Sequence, residues 1–370
     1  MKIFIDARMR KIGGTYTYTI SLLEEILKLD SSNNNYTILY NKRQEQIFPE
    51  KTKVIETTSS NPIYWLFWDN FILPRIIKEN NIDVFHSFRR TEILNIKTKK
   101  IITNHSAYPF LLPELQSIQE KLYGTMSQKK AVNAADAVLS VSETDKNSLS
   151  QVLDVDPQKI FVTHLAVSKE FKKATDRALI KKIRDKYKLP EKYFLFIGSF
   201  YLFKNIPNII RAFAIIKSEM GLSHKLVLVG PKGSGAHDVY KTIKKTGLED
   251  EVILTGPITE DIPVIYSEAD IFLFPTLYDS FGIPVLEAMA CGVPTIVSTA
   301  GALPEVAGDA ALQYDPTDIT GIADGIKKLL YDKDLRKEMI RKGYDQVKKF
   351  SWERCARETI AVYNDIYSKK

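Results

Sequence analysis

Cysteine is scarce in this sequence, and long apolar runs are missing. Two cysteines, Cys291 and Cys355, occur among 370 residues, too few for the disulfide framework of a small secreted domain. No apolar run approaches the ~20 residues that a helix needs to cross a bilayer. The opening segment Met1–Asp6 ends in an acidic residue, and its apolar run is therefore too short for a secretory signal; it predicts a strand. We expect a cytoplasmic protein, with peripheral contact at the inner face of a membrane left open.

Strongly charged runs and several ligand-binding motifs are also lacking. The net charge is +7, and the densest basic cluster of the N-terminal half, Lys97–Lys100, is typical of a solvated surface. An anionic membrane or substrate is the alternative. No nucleic-acid motif, no histidine pair with metal-ligand spacing and no Gly-x-Gly-x-x-Gly dinucleotide fingerprint is found. We therefore expect no nucleic-acid partner, no metal and no cofactor.

Two series of short buried-strand patterns are present, each alternating with helical patterns. The first series is Lys2–Ala7, Tyr36–Tyr40, Val54–Thr57, Val84–Ser87, Lys100–Asn104 and Ala137–Val141. The second series is Tyr193–Ile197, Lys225–Val229, Val252–Thr255, Ile271–Phe274, Thr295–Ser298 and Ala311–Tyr314. Such alternation predicts parallel sheets covered by helices on both faces. The fold class is therefore α/β, with two Rossmann-like domains.

The domain boundaries follow from these two series. We expect a first domain over residues 1–170, a second over 171–350 and a terminal segment over 351–370. The charged stretch from about Val167 to Glu191 has no strand pattern and is interpreted as the linker region. Ser351–Tyr367 predicts one amphipathic helix with Ser351 as its N-cap. Ligands of open α/β sheets bind beyond the carboxyl ends of strands, so two facing sheets would place one cleft between the domains.

The most informative segment is Tyr278–Pro294, which reads Tyr-Asp-Ser-Phe-Gly-Ile-Pro-Val-Leu-Glu-Ala-Met-Ala-Cys-Gly-Val-Pro. It follows a buried-strand pattern and sets two acids, Asp279 and Glu287, around a Phe-Gly turn where a helix begins. Pro284 suits the first helical position because its missing N–H would have no partner there. The acids can accept hydrogen bonds from hydroxyls, and the unpaired helix-start amides can hold a phosphate. The segment therefore predicts a ligand that carries both groups.

This segment resembles the retaining glycosyltransferases of family 4, whose motif is Glu-x7-Glu with Phe-Gly inside it. The spacing is kept, with Asp279 at the position of the first glutamate. The flanking segments also match the family pattern; they are Ala269-Asp270, Phe272–Pro275 and Pro304–Gly308. The resemblance is dense over the C-terminal half and looser over the N-terminal half. It implies the GT-B fold, in which two Rossmann-like domains face each other across a cleft and the last helix crosses back to the N-terminal domain.

In the C-terminal half the resemblance implies a donor site. Asp279 would hold hydroxyls of the sugar ring, and Glu287 would hold the ribose hydroxyls. Lys204, in the turn Gly198–Asn205, matches the second of two basic residues that clamp the diphosphate. The first is not evident, and Ser199 follows the glycine of the turn. The other expected donor-binding groups are the backbone amides of Phe281, Gly282 and Ile283.

In the N-terminal half the motifs are shorter. Gly13 and Gly14 follow the first strand and match a loop that faces the donor diphosphate in the family; a plain flexible turn is the alternative. His105 ends a strand and matches a family histidine that contacts the donor sugar, although Ser106 stands where Asp often follows. A structural histidine is the alternative. His86 ends the preceding strand and is a further candidate for the same cleft.

Three further patterns are expected to have ordinary roles. Asp154–Asp156 spells the Asp-x-Asp of metal-dependent glycosyltransferases, but it lies in a turn before the short strand pattern Ile160–Val162, at the wrong strand end for a cleft. Gly230–Gly235 lacks the Gly-x-Gly-x-x-Gly spacing of a dinucleotide fingerprint and is expected to be a surface loop. The apolar run Asn61–Leu73, which contains two tryptophans, predicts core packing, and an exposed wedge at a lipid interface is the alternative.

The segment Leu277–Pro294 and the ending Phe350–Glu353 resemble most the mannosyl- and rhamnosyl-type members of the family. We therefore predict transfer of a hexose, mannose-like as the best guess, from a GDP- or UDP-linked sugar to a glycan or lipid-linked acceptor. The resemblance implies retention of anomeric configuration without a metal. His105, Asp279 and Lys204 are the predicted catalytic residues. Two alternatives stay open. One is a sugar-nucleotide epimerase with the same architecture, and the other is a nucleotide-sugar-binding protein with weak activity.

Overall fold

The computed structural model describes residues 1–9, 13–30, 32–41, 48, 52–57, 62–88, 96–116 and 125–369. The chain divides into two compact units. Unit 1 is Met1–Leu165 together with Ser351–Lys370, and unit 2 is Ala166–Phe350. Unit 1 is therefore built from both ends of the chain, whereas unit 2 is continuous in sequence.

Unit 1 contains a parallel β-sheet. Its strands are β1 (Lys2–Asp6), β2 (Asn35–Asn41), β3 (Lys53–Thr57), β4 (Val84–Ser87), β5 (Lys99–Asn104), β6 (Ala137–Ser140) and β7 (Ile160–Val162). They are arranged in the order β3-β2-β1-β4-β5-β6-β7. Every strand predicted for this half is present, with ends that differ by at most one residue. Strands such as β4 and β6 are buried along their whole length, as expected for a sheet covered on both faces.

Unit 2 contains a second parallel sheet. Its strands are β8 (Tyr193–Ile197), β9 (Lys225–Val229), β10 (Val252–Gly256), β11 (Ile271–Phe274), β12 (Thr295–Ser298) and β13 (Leu312–Tyr314). Their order is β10-β9-β8-β11-β12-β13. In each sheet the strand order reverses beside the first strand, between β1 and β4 and between β8 and β11. This arrangement is the doubly wound Rossmann topology, and its switch point is where ligands of such sheets bind.

Helices connect and cover the strands. In unit 1 they are α1 (Gly14–Asp30), α2 (Pro62–Phe67), a π-helical turn (Trp68–Ile72), α3 (Leu73–Glu79), α4 (Tyr108–Leu111), α5 (Met126–Asn133), α6 (Glu143–Leu153) and α15 (Trp352–Ser368). In unit 2 they are α7 (Arg177–Tyr187), α8 (Ile206–Met220), α9 (Ala236–Thr246), α10 (Ile262–Ser267), α11 (Ile283–Ala290), α12 (Leu303–Ala307), α13 (Ile319–Tyr331) and α14 (Lys333–Val347). Short 3₁₀ turns occur at Pro113–Leu115, Pro157–Lys159 and Leu202–Lys204.

Two predictions from the sequence can be compared with these helices. The stretch interpreted as a linker contains α7, whose Ile180 and Ile183 are buried in unit 2, so that part of it is a packed element. Its charge misled the interpretation because an amphipathic helix with few apolar residues still buries one face. The terminal helix is confirmed: the Ser351 side chain accepts a hydrogen bond from the Arg354 N–H, and α15 packs on α1.

Candidate active site

The turns that follow β8 and β11 lie side by side at the switch point of unit 2. The Leu277 N–H, just after β11, donates to the Phe203 carbonyl at 2.8 Å. Asn205 fixes the same turn from the other side: its Nδ2 donates to the carbonyls of Pro275 at 2.8 Å and Pro316 at 2.7 Å. Asn205 has φ +58°, a conformation that asparagine tolerates better than most residues. These hydrogen bonds place Lys204 next to the Asp279 segment.

Lys204 and Asp279 form an ion pair. The Lys204 Nζ lies 2.6 Å from the Asp279 Oδ2, and the two side chains are 15% and 14% exposed. The ammonium group also lies 4.7 Å from the ring centroid of Phe274 and 5.1 Å from that of Phe203. Aromatic faces attract the cation and exclude water, which strengthens the attraction between the charges. The structure thus joins two predicted catalytic residues that lie 75 positions apart in the sequence.

The helix start after Asp279 has a backbone that needs glycine. Gly282 has φ +90°, and a Cβ there would also meet the Leu303 Cδ2. The first residue of α11 is Ile283, so Pro284 occupies the second position rather than the predicted first. Proline is tolerated there for the same reason, since the N–H groups of the first turn have no intrahelical partner. The Phe281 N–H, one of the amides expected to hold phosphate, donates to the Asp279 Oδ1 at 3.2 Å.

Glu287 projects from α11 toward α10. The Tyr266 hydroxyl donates to the Glu287 Oε2 at 2.8 Å. Burial raises the pKa of Glu287 to about 7, against the lowering effect of the Tyr266 hydrogen bond. The carboxyl therefore changes protonation near neutral pH. Tyr266 was not singled out from the sequence. It has no motif of its own, and only the packing of α10 on α11 brings its hydroxyl to the acid.

The loop Gly230–Gly235 is packed more tightly than the surface loop expected from sequence. The Phe200 N–H donates to the Pro231 carbonyl at 3.0 Å, and the Gly235 N–H donates to the Phe200 carbonyl at 2.8 Å. Added Cβ atoms at Gly233 and Gly235 would lie within 2.9 Å of the backbone of residues 200–202. The glycines thus allow this loop to support the turn that begins at Ser199 and ends at Lys204. Ser199 is partly exposed, and its carbonyl accepts from the Tyr201 N–H at 2.8 Å.

In unit 1, Gly13 and Gly14 lie at the start of α1. Gly13 has φ +90°, and nothing lies within 4 Å of the position of a Cβ. Its carbonyl accepts hydrogen bonds from the N–H groups of Tyr16 and Thr17. Both glycines are exposed. Backbone conformation alone therefore accounts for glycine at position 13.

His105 follows β5 in a turn fixed by a buried acid. Its Nε2 lies 2.9 Å from the Phe88 carbonyl oxygen, and its ring packs edge-on against Tyr18 with centroids 4.8 Å apart. Asp145, fully buried, accepts from the Asn104 side chain at 3.2 Å and from the Ala107 N–H at 2.8 Å. These bonds hold both ends of the turn that carries His105. Asp145 is a positioning residue that the sequence motifs did not reveal.

His86 is an interior residue. Its side chain is fully buried. The Nδ1 lies 2.7 Å from the Tyr363 hydroxyl, and the Nε2 lies 2.8 Å from the Thr103 Oγ1. Burial lowers the pKa of His86 to about 3, so the ring is neutral. The expectation that His86 faces a ligand is therefore wrong: both ring nitrogens join β4 to α15 and β5 inside unit 1.

A buried ionic cluster follows β1. Arg8 is fully buried, and its guanidinium donates two hydrogen bonds to Asp6, at 2.9 and 2.7 Å, and another to Asp69. Its guanidinium carbon lies 5.7 Å from the ring centroid of Trp65 and 6.0 Å from that of Trp68. Asp69 reaches Arg8 from the π-helical turn. The cluster therefore attaches the π-helical turn to the carboxyl end of β1, a central strand of the sheet.

The helix over residues 62–79 has one buried and one exposed side. Trp68 packs with Phe4, Leu39, Leu73, Ile77, Ile82 and Phe85. On the other side Tyr64, Phe67 and Phe71 are 40%, 53% and 67% exposed. Asn61, where the predicted apolar run began, lies outside the described residues. Trp68 therefore packs in the core, as predicted. The exposed aromatic side chains on this helix are those of Tyr64, Phe67 and Phe71.

The Asp-x-Asp segment is a turn. Asp154 ends α6 with φ +54°, and the Asp156 side chain accepts a hydrogen bond from the Gln158 N–H at 2.9 Å. Among the described residues, no group of three or more His, Cys, Asp and Glu side chains is arranged to hold a metal ion. In the same part of the chain, no helix combines the length and hydrophobicity of a membrane span.

Comparison with known proteins identifies the family. The model of the group 1 glycosyl transferases matches residues 180–346, and the model of glycosyltransferase family 4 matches residues 12–171. The Escherichia coli O-antigen chain mannosyltransferase B is 30% identical over 267 residues, which cover 72% of this chain and 70% of that protein. The serotype-specific mannosyltransferase WbdA of E. coli is 29% identical over 241 residues, covering 64% of this chain but 29% of its own length.

The fold has a close counterpart among solved structures. Sucrose-phosphate synthase from Thermosynechococcus elongatus aligns over 100% of both chains with a TM-score of 0.77 and 20% identity. The identity is too low to carry function, so this likeness establishes the fold alone. Together with the two Rossmann-like units, the family matches show that the chain belongs to family 4 of the glycosyltransferases and has the GT-B fold.

Proposed function

We propose that this glycosyltransferase transfers mannose from a nucleotide diphosphate sugar, GDP- or UDP-linked, to a glycan or lipid-linked acceptor with retention of configuration. The observation that carries the proposal is the arrangement at the switch point of unit 2. There Lys204 and Asp279 lie on neighbouring turns beside the amides of a helix start, and Glu287 lies on that helix. The mannose assignment is supported by the named relatives, both of which are mannosyltransferases.

The chemistry follows from the charge of the leaving group. When the glycosidic bond to the diphosphate breaks, negative charge grows on the phosphate oxygens. Lys204 and the amides of Phe281–Ile283 would stabilise that charge. Asp279 would hold hydroxyls of the sugar ring, and Glu287 would hold the ribose hydroxyls. Holding donor and acceptor in reactive geometry supplies much of the remaining rate.

In this proposal no metal and no cofactor takes part, and Gly13, Gly14 and His105 remain predicted donor contacts. Ser199 is the remaining residue that we propose contacts the donor. We also propose that the protein works in the cytoplasm. Contact with the inner face of a membrane would bring it to a lipid-linked acceptor.

The test is product analysis with GDP-mannose and a panel of UDP-sugars, using O-antigen-type mannose oligosaccharides as acceptors. We expect a new mannoside with the anomeric configuration of the donor, determined by NMR, and undiminished turnover in excess EDTA. An isomerised donor without a glycoside would refute transfer, an inverted product would refute retention, and loss of activity restored by manganese would refute metal independence.

A further inference from the structure

The Asp279 carboxylate contacts the same groups that we propose bind the donor diphosphate. Its Oδ2 lies 2.6 Å from the Lys204 Nζ. Its Oδ1 accepts a hydrogen bond from the Phe281 N–H at 3.2 Å. One is the cation of the proposed phosphate site and the other is an amide beside the start of α11. An anion that belongs to the protein therefore occupies donors suited to an anionic ligand.

The position of Asp279 is fixed by its backbone. The Asp279 carbonyl accepts from the Ala302 N–H at 2.8 Å. Gly301 approaches so closely that a Cβ there would collide with the Asp279 backbone. The main chain of Asp279 is therefore enclosed. Exchange of the carboxylate for another anion requires only rotation of the side chain.

The charge balance points the same way. The turn from Ser199 to Asn205 carries one basic residue, Lys204. Its charge is opposed by Asp279 in a setting where both side chains are mostly buried. A diphosphate that approached this pair with the carboxylate in place would meet a neutral group. Productive binding of the diphosphate therefore requires that Asp279 release the lysine.

We propose that Asp279 is an internal ligand of the diphosphate site, which the donor displaces on binding and thereby frees to hold the sugar hydroxyls. The inference rests on the function proposed above. It gives Asp279 a second role, because a free nucleoside diphosphate or pyrophosphate must compete with the carboxylate for Lys204. The apparent affinity is then reduced by the fraction of molecules in which the site is already filled.

The test is calorimetric titration of the full-length protein with pyrophosphate, UDP and GDP. Asp279→Asn keeps the side-chain shape and an acceptor for the Phe281 N–H but removes the charge that holds Lys204. We expect tighter pyrophosphate binding, by about tenfold, as for loss of one competing charge-assisted hydrogen bond. The proposal would be overturned if Asp279→Asn bound pyrophosphate no more tightly than the wild type, or if neither protein bound it.

Two further variants test whether the gain comes from the released lysine. Asp261→Asn breaks a pair of the same length, Lys186 Nζ to Asp261 Oδ2 at 2.6 Å, elsewhere in unit 2, and should leave pyrophosphate affinity unchanged. The double variant Lys204→Met with Asp279→Asn should lose the gain, because the released cation is then missing. A gain that survives in the double variant would overturn the proposal. Because pyrophosphate binding requires no transfer, absence of a glycoside product in the activity assay would refute the proposed function and leave this result standing.

Discussion

At the scale of single residues, the site depends on partners that tune its charged groups. Lys204 is paired with Asp279, whereas Glu287 accepts a hydrogen bond from a tyrosine hydroxyl and forms no ion pair with any residue that the structure describes. A carboxyl group that is buried without a cation prefers its neutral form, because burial disfavours charge. The two acids of the motif thus have different hydrogen-bonding partners, a cation for Asp279 and a neutral hydroxyl for Glu287, although they lie eight positions apart.

The first prediction concerns the pH dependence of nucleoside binding. If the Glu287 carboxylate accepts the ribose hydroxyls, its pKa of about 7 means that affinity is highest above pH 7. Affinity should fall as pH drops, approaching about tenfold per unit, because the proton must first leave. The measurement is the dissociation constant of uridine and of guanosine from about pH 5.5 to about pH 8.5, a range that spans this pKa.

Two variants control this measurement. Glu287→Gln should bind weakly with no dependence on pH in this range. Tyr266→Phe removes a hydrogen bond that lowers the pKa of Glu287, so the midpoint should move to higher pH. Equal wild-type affinity at both ends of the range would remove Glu287 from the nucleoside site.

At the scale of elements, loops are held together by specific side chains at the carboxyl edge of each sheet. Asn205 joins the β8 turn to the segments after β11 and β13. Asp145 fixes the turn after β5. Loops that carry functional residues on a rigid scaffold need such ties, because a site tolerates little displacement.

The second prediction concerns Asn205. Asn205→Asp keeps the shape but turns a carboxylate toward the carbonyls of Pro275 and Pro316. We expect the unfolding free energy to fall by about 1.5–3 kcal/mol and pyrophosphate affinity to fall with it, because the Lys204 turn shifts. Chemical denaturation and calorimetry provide the two measurements. Asn208→Ala is the matched control, since Asn208 also donates to Pro316 at 3.1 Å but lies on α8; equal effects of both variants would contradict the prediction.

The third prediction separates the two sides of the helix over residues 62–79. Trp68→Ala should lower the unfolding free energy by about 3–5 kcal/mol, because it empties a core position. Phe67→Ala and Phe71→Ala should change it by no more than about 0.5 kcal/mol, since both rings are largely exposed. Thermal and chemical denaturation measure this difference. A large loss from the phenylalanine variants would show that these rings are covered in the folded protein.

At the scale of the whole molecule, the two units differ in how the chain forms them. Unit 2 is one continuous segment, whereas unit 1 needs the last helix. The buried face of α15 includes Trp352, Cys355, Thr359, Val362 and Tyr363. Tyr18 packs against Trp352, and the Tyr363 hydroxyl meets His86. Loss of α15 would expose this interior.

The fourth prediction follows from this difference. A fragment of residues 166–350 should fold cooperatively and bind UDP or GDP, because its sheet is complete and it carries Lys204, Asp279 and Glu287. A fragment of residues 1–165 should be unstable or aggregate, and adding residues 351–370 through a flexible linker should restore folding. Circular dichroism and denaturation of the three fragments test this. A stable 1–165 fragment would show that α15 is dispensable.

The sequence by itself determined the architecture, because that information is local. Strand and helix periodicities specified every strand of both sheets to within one residue, and the Asp279–Glu287 motif specified the family. Charge patterns were less reliable: they concealed α7, since an amphipathic helix and a linker can share a composition.

Only the tertiary structure decided which side chains meet. The ion pair of Lys204 with Asp279, the contact of Tyr266 with Glu287 and the enclosure of His86 all join residues distant in sequence. Their proximity is created by sheet order and helix packing. A hydrogen bond depends on tenths of an ångström, and no residue pattern specifies positions that finely. The sequence therefore named candidate groups for the site, and the fold determined what each of them contacts.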